Sequence, residues 1–68
     1  MITVRYNRDW QDFQVVDPEG HISHHYDDVW SAWNTAKYLQ EKYVDEIHVS
    51  SSARSRVNKF LKGEQKDA

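Results

Sequence analysis

Cysteine is absent from this 68-residue chain, and glycine and proline are scarce, with two residues and one residue respectively. Without cysteine the protein can form neither a disulfide nor a thiolate zinc site. Two glycines are too few for a glycine-rich phosphate-binding loop, so the usual nucleotide-binding motifs are excluded. The chain must therefore fold without the cysteine-based staples that stabilise many domains of this size.

A strong net charge and long apolar runs are missing as well. Eleven acidic and nine basic residues give a formal charge of −2, so no overall field favours nucleic acid or an anionic membrane. No apolar run approaches the ~18 residues of a membrane span, and no basic and apolar leader follows Met1. We therefore expect a cytoplasmic protein, bacterial or phage by default, without a membrane partner.

Aromatic residues, by contrast, are abundant. Three Trp, four Tyr and two Phe give nine large rings, each able to bury ~150–250 Å². At this length a single domain is expected, and so small a domain has a limited interior. We expect some rings to stay exposed, where they can bind another protein or a second copy. The nine are Tyr6, Trp10, Phe13, Tyr26, Trp30, Trp33, Tyr38, Tyr43 and Phe60.

The first part of the chain predicts a three-stranded antiparallel meander. Apolar and polar side chains alternate in short segments rich in β-branched and aromatic residues. A hairpin signal, Asp17-Pro18-Glu19-Gly20, separates the second segment from the third, because proline presets φ and glycine accepts φ > 0. The predicted strands span residues 2–6, 10–16 and 21–26.

The hairpin loop decides which side chains share a face of the sheet. A two-residue loop places Asp17 opposite Gly20, and the resulting pairs are Val15 with Ile22 and Phe13 with His24. A three-residue loop with a bulge would mix apolar and polar side chains on both faces, so we prefer the shorter loop. One face then holds Phe13, Val15, Ile22, His24 and Tyr26. The other holds Trp10, Gln14, Val16, His21, Ser23 and His25.

The second part of the chain predicts a long helix and a short strand. Asp27 or Asp28 can cap a helix over residues 29–43, whose apolar face we assign to the sheet. Residues 46–50 alternate again, which predicts a fourth strand. We place it beside the first strand and parallel to it.

A closing helix is predicted from Ala53 to about Lys62, with a serine cap before it and Gly63 at its end. The fold is therefore α+β in the order β-β-β-α-β-α, with the helices on one face of the sheet. We predict one domain over residues 1–63 and a flexible C-terminal tail over residues 64–68.

The sequence contains no recognisable catalytic, cofactor or metal site. Three of its four histidines are crowded, but His24 and His25 point to opposite faces of a strand. His21 and His25 share a face and lie roughly 13 Å apart. His48 near three serines lacks the sharp turn of a hydrolase nucleophile. We therefore expect no enzyme activity, no cofactor, no metal and no small-molecule substrate.

One stripe of the long helix is the main candidate binding surface. Trp30, Asn34 and Tyr38 recur at i, i+4 and i+8, away from the apolar face. Trp and Tyr are enriched in interface hot spots. The alternative is that the closing helix covers this stripe with Phe60 and Leu61. Our leading hypothesis is a non-enzymatic protein-interaction module, such as a regulator or inhibitor, that binds a protein partner or forms a homodimer.

Nucleic-acid binding is the alternative function. Its candidate residues are Arg54, Arg56, Lys59 and Lys62 on the closing helix, with Arg5 and Trp10 on the open face of the sheet. The simpler interpretation is that these basic residues form only the solvated face of an amphipathic helix. Trp10 would then pack beneath that helix or a loop, because Trp is usually largely buried.

Overall fold

The computed structural model describes the backbone of residues 1–66 and their side chains, apart from those of Ser23, His24 and residues 64–66. It confirms the α+β class, with four strands and two helices over these residues. The elements are β1 (Ile2–Asn7), β2 (Asp12–Val16), β3 (Ile22–Tyr26), α1 (Val29–Tyr43), β4 (Ile47–Val49) and α2 (Ser51–Lys66).

The four strands form one mixed sheet in the order β3-β2-β1-β4. Antiparallel pairing joins β1 to β2 and β2 to β3. β4 lies beside β1 and parallel to it, as expected, with Ile47 opposite Ile2. The predicted three-stranded meander and the short fourth strand therefore form a single mixed sheet, with β4 at its β1 edge.

The core lies between one face of the sheet and both helices. Its strand residues share a face because Val4 pairs with Val15 and side chains alternate along each strand. Alanines on the helices allow a close approach to the sheet. The opposite side, called the open face below, carries Arg5, Gln14 and Val16. The buried core residues are Ile2, Val4, Phe13, Val15, Ala32, Ala36, Ala53 and Val57.

α1 spans the residues that the sequence predicts. Asp28 is its N-cap, and the Asp28 carboxylate accepts a hydrogen bond from the Ser31 N–H at 2.8 Å. At the other end, Val44 adopts a left-handed conformation and donates its N–H to the Gln40 carbonyl. Both ends are therefore fixed by local hydrogen bonds.

The register of the β2–β3 hairpin differs from the prediction. Phe13 pairs with Tyr26, not with His24, and Ile22 lies opposite Val16. Because paired residues point to the same side and Val16 belongs to the open face, Ile22 lies there too. The placement of Ile22 on the apolar face was therefore wrong, and its side chain is 51% exposed. The side chain of His24 lies outside the described part of the chain.

The hairpin loop explains this shift. The Gly20 N–H donates to the Asp17 carbonyl and the Asp17 N–H to the His21 carbonyl, both at 3.0 Å, which closes a three-residue loop. Gly20 has a φ of 90°, which glycine adopts without strain. The Asp17 carboxylate also accepts the N–H groups of Glu19 and His21. These local bonds favour the longer loop, and an irregularity in the β2–β3 pairing absorbs the offset.

All four strands begin or end differently from the prediction, and β1 continues one residue further, to Asn7. β2 begins at Asp12, because the Asn7 side chain accepts the N–H groups of Asp9 and Trp10 and folds residues 8–11 into a turn. Gln11, with a φ of 52°, completes this turn. β3 begins one residue later than expected, and β4 lacks one expected residue at each end.

α2 is longer than predicted at both ends. It begins at Ser51 and continues through Gly63 to Lys66, so Gly63 does not end the helix. Glycine inside a helix costs roughly 1 kcal/mol relative to alanine, which a helix docked on a core can tolerate. Residues 67–68 of the predicted tail lie outside the described residues.

Candidate functional site

The outer side of α1 carries the predicted aromatic stripe. Trp30 is 59% exposed and Tyr38 is 63% exposed, and Asn34 between them is exposed as well. At 3.6 residues per turn these three positions lie roughly opposite Ala32 and Ala36, which face the sheet. We call Trp30, Asn34 and Tyr38 the α1 stripe. It is solvent-facing because the small residues of the helix face inward.

A hydrogen bond orders the middle of the α1 stripe. The Asn34 side-chain amide donates to the Trp30 carbonyl at 3.0 Å. This bond holds a polar group between the two rings and limits the rotamers of Asn34. The stripe is therefore a partly ordered surface with one aromatic ring at each end.

α2 does not cover the α1 stripe. Its residues Ala53 and Val57 are buried in the core, and Leu61 packs against the same core. Phe60 lines a cleft at the N-terminal end of α1 instead. The alternative in which Phe60 and Leu61 shield Trp30 and Tyr38 is therefore wrong.

Trp10 is more exposed than either ring of the α1 stripe, at 76%. It lies in the turn between β1 and β2, where its backbone N–H donates to the Asn7 side-chain oxygen at 3.4 Å. The interpretation that it packs beneath α2 or a loop was wrong. Trp10 precedes β2, whereas His21 lies in the loop after β2 and close to β3. The two residues therefore lie at opposite ends of β2.

The basic candidates do not form a single surface. Arg54, Arg56, Lys59 and Lys62 are all exposed on α2. The Arg56 guanidinium carbon lies 3.9 Å from the centre of the Tyr6 ring, on the helical side of the sheet. Arg5 points to the open face, where its Nε donates to the Gln14 side-chain oxygen at 2.8 Å. Arg5 and Arg56 are thus on opposite sides of the sheet.

Sequence reasoning missed a hydrogen-bonded pair on the open face. His25 Nδ1 lies 2.7 Å from Asp12 Oδ2, and the Asp12 side chain is only 9% exposed. The predicted register placed Asp12 opposite His25 on this face, but no contact between them was inferred from it. In the structure His25 lies opposite Gln14 and reaches Asp12 diagonally. His21 lies apart from this pair, with its Nδ1 3.6 Å from the Asp17 carboxylate. Over the described side chains, no group of three or more His, Asp or Glu is arranged to hold a metal ion.

A cleft at the N-terminal end of α1 was also missed. It measures about 420 Å³ and lies where β2, α1 and α2 meet. Its lining combines apolar side chains with charges of both signs. The cleft depends on how α2 docks, which the sequence pattern alone does not define.

Comparisons with known proteins give no match, since no family model, no curated protein and no solved structure matches this chain. Among residues 1–66, neither helix has the length and apolarity needed to cross a membrane. The functional assignment therefore depends on the surface geometry described above.

Proposed function

We propose that this domain is a non-enzymatic protein-interaction module that binds a protein partner through the α1 stripe. The supporting observation is that Trp30 and Tyr38 are both more than half exposed on the outer side of α1. The inner side of this helix packs against the core. Exposed large rings grouped on one face are typical of interfaces.

The energetics of such rings favour binding over a purely structural role. Folding gains little from Trp30 and Tyr38, because most of their surface stays in water. An interface that covers both rings removes this apolar surface from water at little entropic cost, since each side chain has only two rotatable angles. Asn34 supplies a polar group between them, as hot spots commonly combine apolar area with a few hydrogen bonds.

The first prediction concerns the double variant Trp30→Ala and Tyr38→Ala. Truncation of a hot-spot ring costs about 2 kcal/mol or more in binding, so we expect affinity for the partner to fall at least roughly 30-fold. Because both side chains are exposed, the free energy of unfolding should change by no more than about 0.5 kcal/mol each. Affinity capture followed by titration of the captured protein measures the first effect, and urea unfolding measures the second.

The matched control is Asn58→Ala, an exposed position on α2. Capture should include nuclease, so that proteins bridged by nucleic acid are lost. Sedimentation of the purified chain separates a homodimer from a different partner. A stably folded double variant that retains the native partner at native affinity would contradict the proposal.

A further inference from the structure

The cleft at the N-terminal end of α1 has an apolar floor. Phe13, Val29 and Phe60 line it, one each from β2, α1 and α2. The Phe13 ring is fixed by an edge-to-face contact with Tyr6, with ring centres 4.9 Å apart. The cleft has a volume of about 420 Å³ but is shallow and largely open to solvent, unlike ligand-binding clefts that enclose most of a small molecule.

The walls of the cleft carry opposite charges. Asp27 and Asp28 lie on the α1 side, and Arg56 and Lys59 lie on the α2 side, one helical turn apart. Among the ion pairs of the described residues, none joins these acidic and basic groups. The two walls therefore stand too far apart to neutralise one another directly.

Arg56 is held in place without losing its capacity to bind. Its guanidinium stacks on the Tyr6 ring at 3.9 Å from the ring centre. A guanidinium that stacks on a ring still presents N–H groups in its own plane, and these can donate hydrogen bonds to a carboxylate. Opposite it, one oxygen of Asp28 caps α1. The Asp27 side chain is exposed.

We propose that this cleft binds a peptide segment of the protein partner, in which an apolar side chain is flanked by a basic residue and an acidic residue. The cation faces Asp27 and Asp28, the anion faces Arg56 and Lys59, and the apolar side chain covers the floor. This inference rests on the proposed function, since it assigns a segment of the same partner. Val29 of the floor precedes Trp30 directly, so the cleft adjoins one end of the α1 stripe.

The shallow, open form of the cleft favours an extended peptide over a free amino acid. In an extended peptide, side chains at i, i+2 and i+4 point to one side at spacings of ~6.6 Å. A basic-x-apolar-x-acidic segment thus presents all three groups together. A free amino acid would be enclosed on one side only and would remain largely in water.

Synthetic peptides test this arrangement. The probes are the acetylated, amidated pentapeptides Lys-Gly-Phe-Gly-Asp and Asp-Gly-Phe-Gly-Lys, with Gln-Gly-Phe-Gly-Asn as the uncharged counterpart. Titration into the ¹⁵N-labelled full chain should shift the amide signals of residues around the cleft. We expect at least one charged peptide to bind about tenfold more tightly than the uncharged one, given the modest strength of partly solvated ion pairs.

Charge reversal in the protein provides the matched pair. Lys59→Glu reverses one charge of the basic wall and should lower the affinity for the charged peptide about tenfold. Lys62→Glu, on the same helix but outside the cleft, should leave that affinity unchanged. The peptide Lys-Gly-Phe-Gly-Lys should bind the Lys59→Glu variant more tightly than the native chain. Neither position packs in the core, so both variants should fold.

Several results would overturn the inference. These are equal binding of charged and uncharged peptides, no binding of any peptide, or binding of free phenylalanine as tight as that of the pentapeptides. If Lys59→Glu keeps the partner while Trp30→Ala with Tyr38→Ala loses it, the cleft assignment fails and the proposed function stands. If the native chain binds the charged peptides but the double variant keeps its partner, the proposed function fails instead.

Discussion

Val44 ends α1 in an unusual conformation for a β-branched residue. Its φ is 50° and its ψ is 56°, in the left-handed region that costs an L-residue roughly 1–2 kcal/mol. The side chain is 91% exposed and makes no contribution to the core that would offset this cost. Glycine is the residue commonly found at such helix ends, because it has no Cβ.

We therefore predict that Val44→Gly stabilises the protein. The relief of strain exceeds the extra entropy of glycine in the unfolded chain, which leaves a gain of about 1 kcal/mol. For a domain of this size, that gain raises the melting temperature by about 4–8 °C. Thermal unfolding measures it. Val44→Ala is the control, since it removes the branched side chain but keeps the Cβ; an equal gain from alanine, or a loss with glycine, would refute the explanation.

At the scale of elements, α1 depends on its N-cap. The hydrogen bond from the Ser31 N–H to the Asp28 carboxylate lowers the pKa of Asp28 from its ordinary value of 3.8. A carboxyl whose pKa is lowered by folding stabilises the native state above its unfolded pKa. That contribution is lost as the pH falls below 3.8 and through the lower folded pKa.

Asp28→Asn isolates this effect. The amide oxygen can still accept the Ser31 N–H, but it does not titrate and carries no charge to interact with the helix dipole. We predict that the native chain is more stable than the variant at about pH 6 and that the difference shrinks towards about pH 2. Urea unfolding across this range measures the difference. Hydrogen bonds also lower the pKa of Asp17 and the pKa of Asp45, but both carboxyls are present in the two proteins, so their titration cancels. A difference that does not change with pH would contradict the assignment.

Elements differed in how far the sequence could predict them. α1 was predicted with its bounds because a cap and a 3.6-residue period of apolar side chains agree over 15 residues. The β2–β3 register was missed because Asp17-Pro18-Glu19-Gly20 is compatible with loops of two or three residues. The choice between them depends on hydrogen bonds to the Asp17 side chain, which a pattern of apolar residues does not encode.

The two candidate sites also differ in how far the sequence could predict them. Helical periodicity alone places Trp30, Asn34 and Tyr38 on one side of α1, so the α1 stripe could be predicted. The cleft needs three elements to meet, and the charged residues that line it come from positions about 30 apart in the chain. The way in which α1 and α2 dock on the core decides whether these residues lie together. The pattern of apolar residues along the sequence carries little information about that docking.

At the scale of the whole molecule, the interior is aliphatic and small while the rings lie around it. Phe13 is the only one of the nine rings that is buried, and the other buried hydrophobic side chains are Ile, Val and Ala. The polar residues Asp12 and Gln14 are buried as well. Three rings, Trp10, Trp30 and Tyr38, remain exposed over more than half of their surface. The fold therefore leaves aromatic area for a partner, and α1 presents two of the three rings on one side.

Site-specific photo-crosslinking tests this account most directly. A photo-reactive benzophenone amino acid replaces Asn34 in one protein and Asn58 in another, both exposed positions on helices. Each protein is irradiated in a nuclease-treated lysate of its source cells. We predict a defined crosslinked protein from position 34 that is absent from position 58 and that disappears when Trp30→Ala and Tyr38→Ala are added. Identical crosslinks from both positions, or none from position 34, would contradict a binding surface on the outer side of α1.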